Sequence, residues 1–260
     1  MINPNPLFIV GHKRSGSTHL ARILNMHKNI FISNETDILW IVYQFYSELD
    51  IYQHEFDGQV GLNNTLKKYR KELISNQSPY ETFLNIQLKA MEEGFIAFPS
   101  YHDKELQYIG DQKPFQNIDP KVVRFTNQHL PRTSYIHIVR HPKNVIKSCM
   151  NFGKQKDGGV MWRGRSTDQI LRKWVKVEKW VLKEKSKKKQ NLIDLRYEDL
   201  LDSPKSEMTK VFSFLNLPSP ENVLEEIENS IKRKNEENNI QLEYTQEAMD
   251  IMKLYGYDSK

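Results

Sequence analysis

The chain has 260 residues, a formal net charge of +5 and a pI of about 9.0, with 38% hydrophobic and 27% charged residues. This length allows one well-buried α/β domain, and the positive charge suits an anionic ligand, although the scattered basic residues form no nucleic-acid-binding module. The single cysteine, Cys149, excludes a disulfide framework and a multi-cysteine zinc site, and no apolar run reaches membrane-spanning length.

The amino terminus leads directly into structure. Residues 1–6 lack the basic region of a signal peptide. Together with the single cysteine, this predicts a reducing, cytoplasmic compartment, and we expect no membrane span and no nucleic-acid partner.

Residues 7–18 contain the first motif. Residues 7–10, Leu-Phe-Ile-Val, form a short apolar run that predicts a buried parallel strand. The chain breaks at Gly11, passes through a polar loop to Thr18, and enters an amphipathic helix with Leu20 and Leu24 on one face. A strand, a glycine-bounded loop and a helix N-terminus together predict a phosphate cradle.

This loop departs from that of the nucleotide hydrolases, G-x-x-x-x-G-K-[ST]. Gly11 and Gly16 have the same spacing and Thr18 occupies the hydroxyl position, but Ser17 stands where the lysine belongs. Positive charge comes instead from two basic residues inside the loop. The pattern argues against an ATPase or kinase and favours a different phosphate-bearing donor.

The middle of the chain is predicted to be helical. Residues 37–49 predict a strongly apolar helix, and two further helices are expected at 62–74 and 79–93 without clear strands between them. We interpret residues 50–105 as a helical insertion, the part of the fold that is freest to shape an acceptor site. Its aromatic residues, Phe83 among them, are expected mostly in the core.

The second half alternates between strands and helices. Strands are predicted at 106–109, 134–139 and 191–195. Helices are predicted at 117–129, 143–151 with Pro142 in the first turn, 168–187 with Ser166 or Thr167 as cap, and 204–215.

This alternation predicts an α/β fold with three layers, a mostly parallel sheet between helices, in a single domain over residues 1–260. Ligands of such sheets bind beyond the carboxyl ends of the strands. Polar segments at four strand ends are therefore expected to face one crevice: residues 11–18, 111–113, 140–142 and 196–199.

These segments resemble the sulfotransferase superfamily, whose donor is 3′-phosphoadenosine 5′-phosphosulfate (PAPS). The resemblance extends over residues 7–218 in order and spacing, includes the Y-E-D-L segment that begins at Tyr197, and implies a P-loop-like fold. It also implies that a loop binds the 5′-phosphosulfate through Lys13, Arg14, Ser15, Gly16, Ser17 and Thr18.

The same resemblance implies a site for the 3′-phosphate. Arg140, at the end of a strand, and Ser148, eight residues later, match the family pattern, and Tyr197 is a candidate to support the nucleotide or the fold. Phe152 departs from the pattern, because a further basic residue is usual there. Candidates to replace that residue are Arg163, Arg165, Lys232, Arg233 and Lys234.

Within the superfamily the layout is similar to the tyrosylprotein sulfotransferases. Glu35 follows Arg14 by 21 residues, as the carboxylate of that branch follows its loop arginine, and Lys113 matches a lysine before the 3′-phosphate strand. The resemblance implies that Glu35 is the general base and that Arg14 and Lys113 stabilise the leaving group. From the residues alone, Glu35 could instead cap a helix, and Lys113 could be a surface lysine.

The implied reaction moves a sulfuryl group from PAPS to an acceptor hydroxyl and leaves 3′,5′-bisphosphoadenosine (PAP). We expect a carbohydrate, such as a glycan, or another small molecule as acceptor. Alternatives are a P-loop kinase-like phosphotransferase and a non-catalytic nucleotide-binding protein. The strand over residues 134–139 does not end in the aspartate that would bind magnesium, and no metal cluster is visible, so no metal is predicted.

Overall fold

The computed structural model describes residues 3–54, 59–75, 77–94, 105–155, 161–187, 191–231 and 242–258. Within them, one sheet contains the strands β1 (Asn5–Val10), β2 (Ile30–Asn34), β3 (Tyr108–Gln112), β4 (Ser134–Val139) and β5 (Asn191–Arg196). The strand order is β2-β3-β1-β4-β5, and every neighbouring pair is parallel.

Helices connect and follow these strands. They are α1 (Ser17–Asn25), α2 (Ile38–Tyr46), α3 (Gln59–Leu73), α4 (Pro79–Glu92), α5 (Pro114–Asn117), α6 (Pro120–His129), α7 (Pro142–Gly153), α8 (Thr167–Ser186), α9 (Tyr197–Asp202), α10 (Pro204–Phe214), α11 (Glu221–Ser230) and α12 (Gln246–Leu254). As predicted, α7 begins at Pro142, and Ser166 caps α8 in a capping box with Gln169. No helix in the described ranges is both long enough and apolar enough to cross a membrane.

The sheet is buried on both faces. In β1, Leu7 and Ile9 pack into one apolar cluster with α1 and α10, whereas Phe8 and Val10 pack into a second cluster with α2 and α8. Burial on both faces explains why the sequence of this strand is a continuous apolar run. The α/β prediction with a P-loop-like, three-layer arrangement is confirmed.

Two features of the sheet differ from the prediction. The strand β2 was not predicted, and β3 lies two to three residues after the predicted 106–109. The reason is pairing: β3 aligns with β1 from Asn5↔Tyr108 to Ile9↔Gln112, and β2 adds to its other edge in the same register. The polar residues Asp111 and Gln112 therefore lie inside the sheet and are buried.

The helical segment between β2 and β3 contributes to the core. Its helix α4 packs against β2 and β3, and the ring of Phe83 lies 5.5 Å from that of Phe8. Its residues 55–58, 76 and 95–104 lie outside the described part of the chain. The predicted helix at 117–129 is divided, since α5 ends at Asn117 and α6 begins at Pro120 with Asp119 as N-cap.

Candidate active site

Four strand ends meet at one edge of the sheet. Because β1, β3, β4 and β5 are parallel, the residues after them lie on the same side of the molecule. An Nη atom of Arg140, after β4, donates to the backbone carbonyl of Arg14, after β1, at 3.1 Å. The guanidinium carbon of Arg140 also lies 4.7 Å from the ring centroid of Tyr197, after β5. The segments after β1, β4 and β5 are therefore in contact with one another.

The loop between β1 and α1 has a backbone that depends on glycine. Gly11 and Gly16 have φ angles of 133° and 99°. A Cβ atom at Gly11 would lie 2.5 Å from the carbonyl oxygen of Ile138, and one at Gly16 would lie 2.3 Å from the ring of Tyr197. Arg14 is also left-handed, with φ of 70°, which turns the loop tightly between the two glycines.

The loop ends at an uncapped helix. Gly16 is the N-cap of α1 and supplies no side-chain hydrogen bond, so the first amides of the helix have no capping side chain. The first-turn residue Thr18 is exposed at this end. Ser17 is buried, and its hydroxyl accepts a hydrogen bond from Gln112 Nε2 at 2.6 Å. These amides and the positive end of the helix dipole suit an anion.

The two basic residues of the loop contact aromatic rings. Arg14 is exposed; its Nε donates to Ser148 Oγ at 3.1 Å and its guanidinium carbon lies 4.5 Å from the Phe152 centroid. The ammonium of Lys13 lies 5.8 Å from the Phe115 centroid. Phe152, the departure from the family pattern, thus makes a cation–π contact with the loop arginine.

Two buried groups of the loop are neutral. Ser15 is fully buried, and its hydroxyl has no hydrogen-bond partner among the described residues. The ring of His12 is also fully buried, and its Nδ1 donates to the Lys13 carbonyl at 2.6 Å. Burial lowers the pKa of His12 to about 3, so the imidazole stays neutral at physiological pH.

Ser148 and the candidates for an additional cation follow β4 in the chain. Ser148 is on α7, within reach of Arg14. Arg163 and Arg165 are exposed, and they donate to the carbonyl oxygens of Gln155 at 3.5 Å and Met161 at 3.4 Å. The candidates at residues 232–234 lie outside the described part of the chain.

Glu35 lies in the turn between β2 and α2. Its backbone is left-handed, with φ of 53°, and its amide donates to the Gln112 carbonyl at 3.1 Å. The side chain is half-buried. The N-cap of α2 is Asp37, not Glu35, so the interpretation of Glu35 as a helix cap does not fit the structure.

Lys113 is buried and ion-paired. Only 4% of the residue is exposed, and its ammonium lies 3.0 Å from Asp37 Oδ2. Gln116 Nε2 donates to Asp37 Oδ1 at 2.5 Å. Burial excludes the interpretation of Lys113 as a surface lysine. No local sequence pattern marks Asp37 as a functional residue, because its contact with Lys113 spans 76 positions.

A second buried carboxylate lies beside this pair. Asp111 is fully buried in β3, and Thr36 Oγ1 donates to its Oδ2 at 3.0 Å. Burial raises the pKa of Asp111 to about 7, an increase that the nearby charge of Lys113 opposes. Among the described residues, no group of three or more histidine, cysteine, aspartate or glutamate side chains is arranged to hold a metal ion.

Comparison with known proteins gives one family. A family profile described as "Sulfotransferase family" matches residues 6–221. No curated protein sequence matches significantly.

Several solved structures share the fold. The sulfotransferase domain of the Synechococcus PCC 7002 olefin synthase is 19% identical, with a TM-score of 0.61 over 100% of this chain and 98% of that one. The sulfotransferase domain from the curacin biosynthetic pathway is 19% identical, with a TM-score of 0.59 and 98% of each chain covered. A sulfotransferase from Alicyclobacillus acidocaldarius is 13% identical, with a TM-score of 0.52 over 98% of this chain and 92% of that one.

Proposed function

The chain belongs to the sulfotransferase family, and from that premise we propose that it transfers the sulfuryl group of PAPS to the hydroxyl of a carbohydrate or another small molecule. One observation carries the choice of donor: the Arg140 guanidinium bonds to the Arg14 carbonyl of the phosphate loop at 3.1 Å. A cationic site thus directly adjoins the cradle. PAPS carries two separated phosphate-bearing groups, and this arrangement offers one site to each.

In this proposal the loop holds the 5′-phosphosulfate. The uncapped amides of α1, the hydroxyls of Ser17 and Thr18, and the charge of Lys13 supply donors and positive charge. The Cβ clash at Gly16 supports the same role, because only glycine leaves the helix start open beside Tyr197. Ser15 contributes backbone to the loop, since its side chain is buried.

The 3′-phosphate would be held by Arg140 and Ser148. A guanidinium at a strand end can bind phosphate through two N–H groups. The Tyr197 ring lies against this guanidinium and limits its freedom. Ser148, which accepts from Arg14 at 3.1 Å, links the two phosphate sites. A 3′-phosphate distinguishes PAPS from ATP, so these residues would select the donor.

The proposed chemistry is an in-line displacement at sulfur. The acceptor oxygen forms the new S–O bond, the bond from sulfur to the oxygen of the 5′-phosphate breaks, and PAP leaves with that electron pair. Glu35 accepts the acceptor proton, because a free hydroxyl is a weak nucleophile. Arg14 and Lys113 stabilise the negative charge on the bridging oxygen. No step requires a metal ion.

Two successive experiments test this proposal, the first of nucleotide binding and the second of sulfuryl transfer. Calorimetry without magnesium should detect PAP binding and weaker or no ATP binding, since ATP lacks the 3′-phosphate. Transfer from ³⁵S-labelled PAPS is then measured against a panel of sugars, phenols and alcohols. Tighter, magnesium-dependent ATP binding would indicate a phosphotransferase instead. PAP binding without transfer to any acceptor would indicate a nucleotide-binding protein that does not catalyse.

A further inference from the structure

We propose that Asp37 is a positioning residue that holds the Lys113 ammonium in its charged form, at a fixed place in the active site. This inference rests on the proposed function, because it assigns Lys113 the task of stabilising the leaving group. It adds a residue outside the predicted site, at the N-cap of α2.

The two oxygens of Asp37 have different partners. Oδ2 lies 3.0 Å from Lys113 Nζ, and Oδ1 accepts from Gln116 Nε2 at 2.5 Å. The side chains of Asp37 and Lys113 are 1% and 5% exposed, so solvent does not screen the pair. With both oxygens bonded, the carboxylate cannot rotate without losing a hydrogen bond, and it presents Oδ2 to the ammonium in one orientation.

The backbone around Asp37 is equally constrained. Asp37 has a φ of 59°, although its side chain does not cap α2. The preceding residue is held from both sides, because Thr36 Oγ1 donates to Asp111 Oδ2 at 3.0 Å and the Thr65 hydroxyl donates to the Thr36 carbonyl. A left-handed, uncapped aspartate is unfavourable for the helix alone, and its contact with Lys113 explains why the conformation is useful.

The charge balance requires this carboxylate. A buried ammonium tends to lose its proton unless an opposite charge lies close to it. Two described carboxylates lie near Lys113, namely Asp37 at the start of α2 and Asp111 in β3. Burial raises the pKa of Asp111 to about 7, so its neutral form is favoured below that pH, and its Oδ2 accepts a hydrogen bond from Thr36 Oγ1. Asp37 contacts the Lys113 ammonium directly, at 3.0 Å, and through this contact it supports the charge of Lys113.

The test compares Asp37→Asn with Asp119→Asn. Asp119 is a matched control, because it is also a buried N-cap aspartate, at α6, and its Oδ2 lies 3.3 Å from His54 Nε2. Both variants lose a buried carboxylate and keep the shape of the side chain. We expect Asp37→Asn to lower kcat about 100-fold, the cost of misplacing one catalytic group, while PAP affinity stays close to the wild-type value. Asp119→Asn should leave kcat nearly unchanged.

The pH profile separates positioning from general destabilisation. In Asp37→Asn the Lys113 ammonium loses its proton more easily, so kcat should fall with rising pH earlier than in the wild-type enzyme. Adding Lys113→Arg to Asp37→Asn should remove that alkaline fall, because a guanidinium stays charged. A wild-type kcat and pH profile in Asp37→Asn would overturn the proposal, and so would equal losses of kcat and PAP affinity in both single variants.

Failure of this inference differs from failure of the proposed function. If the wild-type enzyme transfers no sulfuryl group from PAPS to any acceptor of the panel, the proposed function fails and the role of Asp37 fails with it. If the wild-type enzyme transfers and Asp37→Asn does so equally well across the pH range, only the role of Asp37 fails.

Discussion

The position of Glu35 depends on an unfavourable backbone conformation. Its φ of 53° costs energy for a residue with a Cβ atom, and the bond from its amide to the Gln112 carbonyl at 3.1 Å holds that conformation at the end of β2. A backbone hydrogen bond thus holds the main chain of this half-buried residue. This suits a group that must accept a proton from a bound acceptor.

Replacement of this carboxylate tests its role as base. Glu35→Gln keeps size and hydrogen bonding but cannot accept the proton, so we expect kcat to fall about 10²–10⁴-fold with unchanged PAP affinity. Glu48→Gln is the matched control, because Glu48 has nearly the same left-handed φ of 55° but is exposed. Steady-state kinetics with labelled PAPS measure both variants. Equal kcat in Glu35→Gln and the wild-type enzyme would exclude Glu35 as the base.

The ring of Tyr197 has a separate role beside Arg140. Tyr197→Leu removes the π face that lies 4.7 Å from the guanidinium, and it should weaken PAP binding about 3- to 30-fold. Tyr197→Phe keeps the ring and should bind PAP as the wild-type protein does. Calorimetry measures both variants. If Tyr197→Phe and Tyr197→Leu weaken PAP binding equally, the hydroxyl of Tyr197, and not its ring, supports PAP binding.

At the scale of elements, the loop between β1 and α1 depends on the close approach of α9. The first residue of α9, Tyr197, covers Gly16 so closely that a Cβ there would lie 2.3 Å from its ring. Gly16→Ala must therefore displace Tyr197 or the start of α1, and either change disturbs both proposed phosphate sites. We expect PAP affinity to fall by at least about 10-fold, measured by calorimetry.

Gly94→Ala is the control for the backbone effect. Gly94 also has a positive φ, of 61°, but no atom of the described residues lies within 4 Å of a Cβ placed there. This variant should lose about 1–2 kcal/mol of unfolding free energy from the backbone alone and bind PAP normally. If Gly16→Ala also bound PAP normally, the proposed place of the 5′-phosphosulfate would be wrong.

Local signals predicted some elements well and others poorly. The unit of β1, loop and α1 was predicted because an apolar run, two glycines and an amphipathic helix lie within 25 positions. The strand β2 and the register of β3 were not predicted, because they depend on pairing between distant strands. Ile30↔Tyr108 joins positions about 78 apart, and Asn5↔Tyr108 joins positions about 103 apart. The ion pair of Asp37 with Lys113 was missed for the same reason.

At the scale of the whole molecule, a largely buried network of charged side chains joins the sheet to helix α8. His137 of β4 is fully buried; its Nδ1 lies 2.9 Å from Asp194 Oδ1 of β5, and its Nε2 lies 3.0 Å from Glu178 Oε2 of α8 without the alignment of a hydrogen bond. Lys185, also of α8, pairs with Asp194. Two carboxylates thus surround one imidazole, which favours its protonated form.

This network makes the stability of the fold depend on pH. Although burial itself disfavours the charge, Glu178 and Asp194 raise the pKa of His137 to about 9, from an ordinary value of 6.5. The folded state therefore binds the proton more tightly than the unfolded state does. The stabilisation is complete below about pH 6.5 and is lost as the pH rises through about 9. From the difference between the two pKa values, the stabilisation of the folded state amounts to about 3 kcal/mol.

Denaturant unfolding at several pH values tests this prediction. The unfolding free energy of the wild-type protein should fall between pH 6.5 and pH 9.5, whereas His137→Gln should be less stable at pH 6.5 and lose that part of the pH dependence. His129→Gln serves as control, because His129 is exposed at the end of α6. The unfolding free energy of His129→Gln should depend on pH as that of the wild-type protein does. A wild-type curve that is flat over this range, or a His137→Gln curve that falls as steeply, would show that His137 is not held protonated in the folded state.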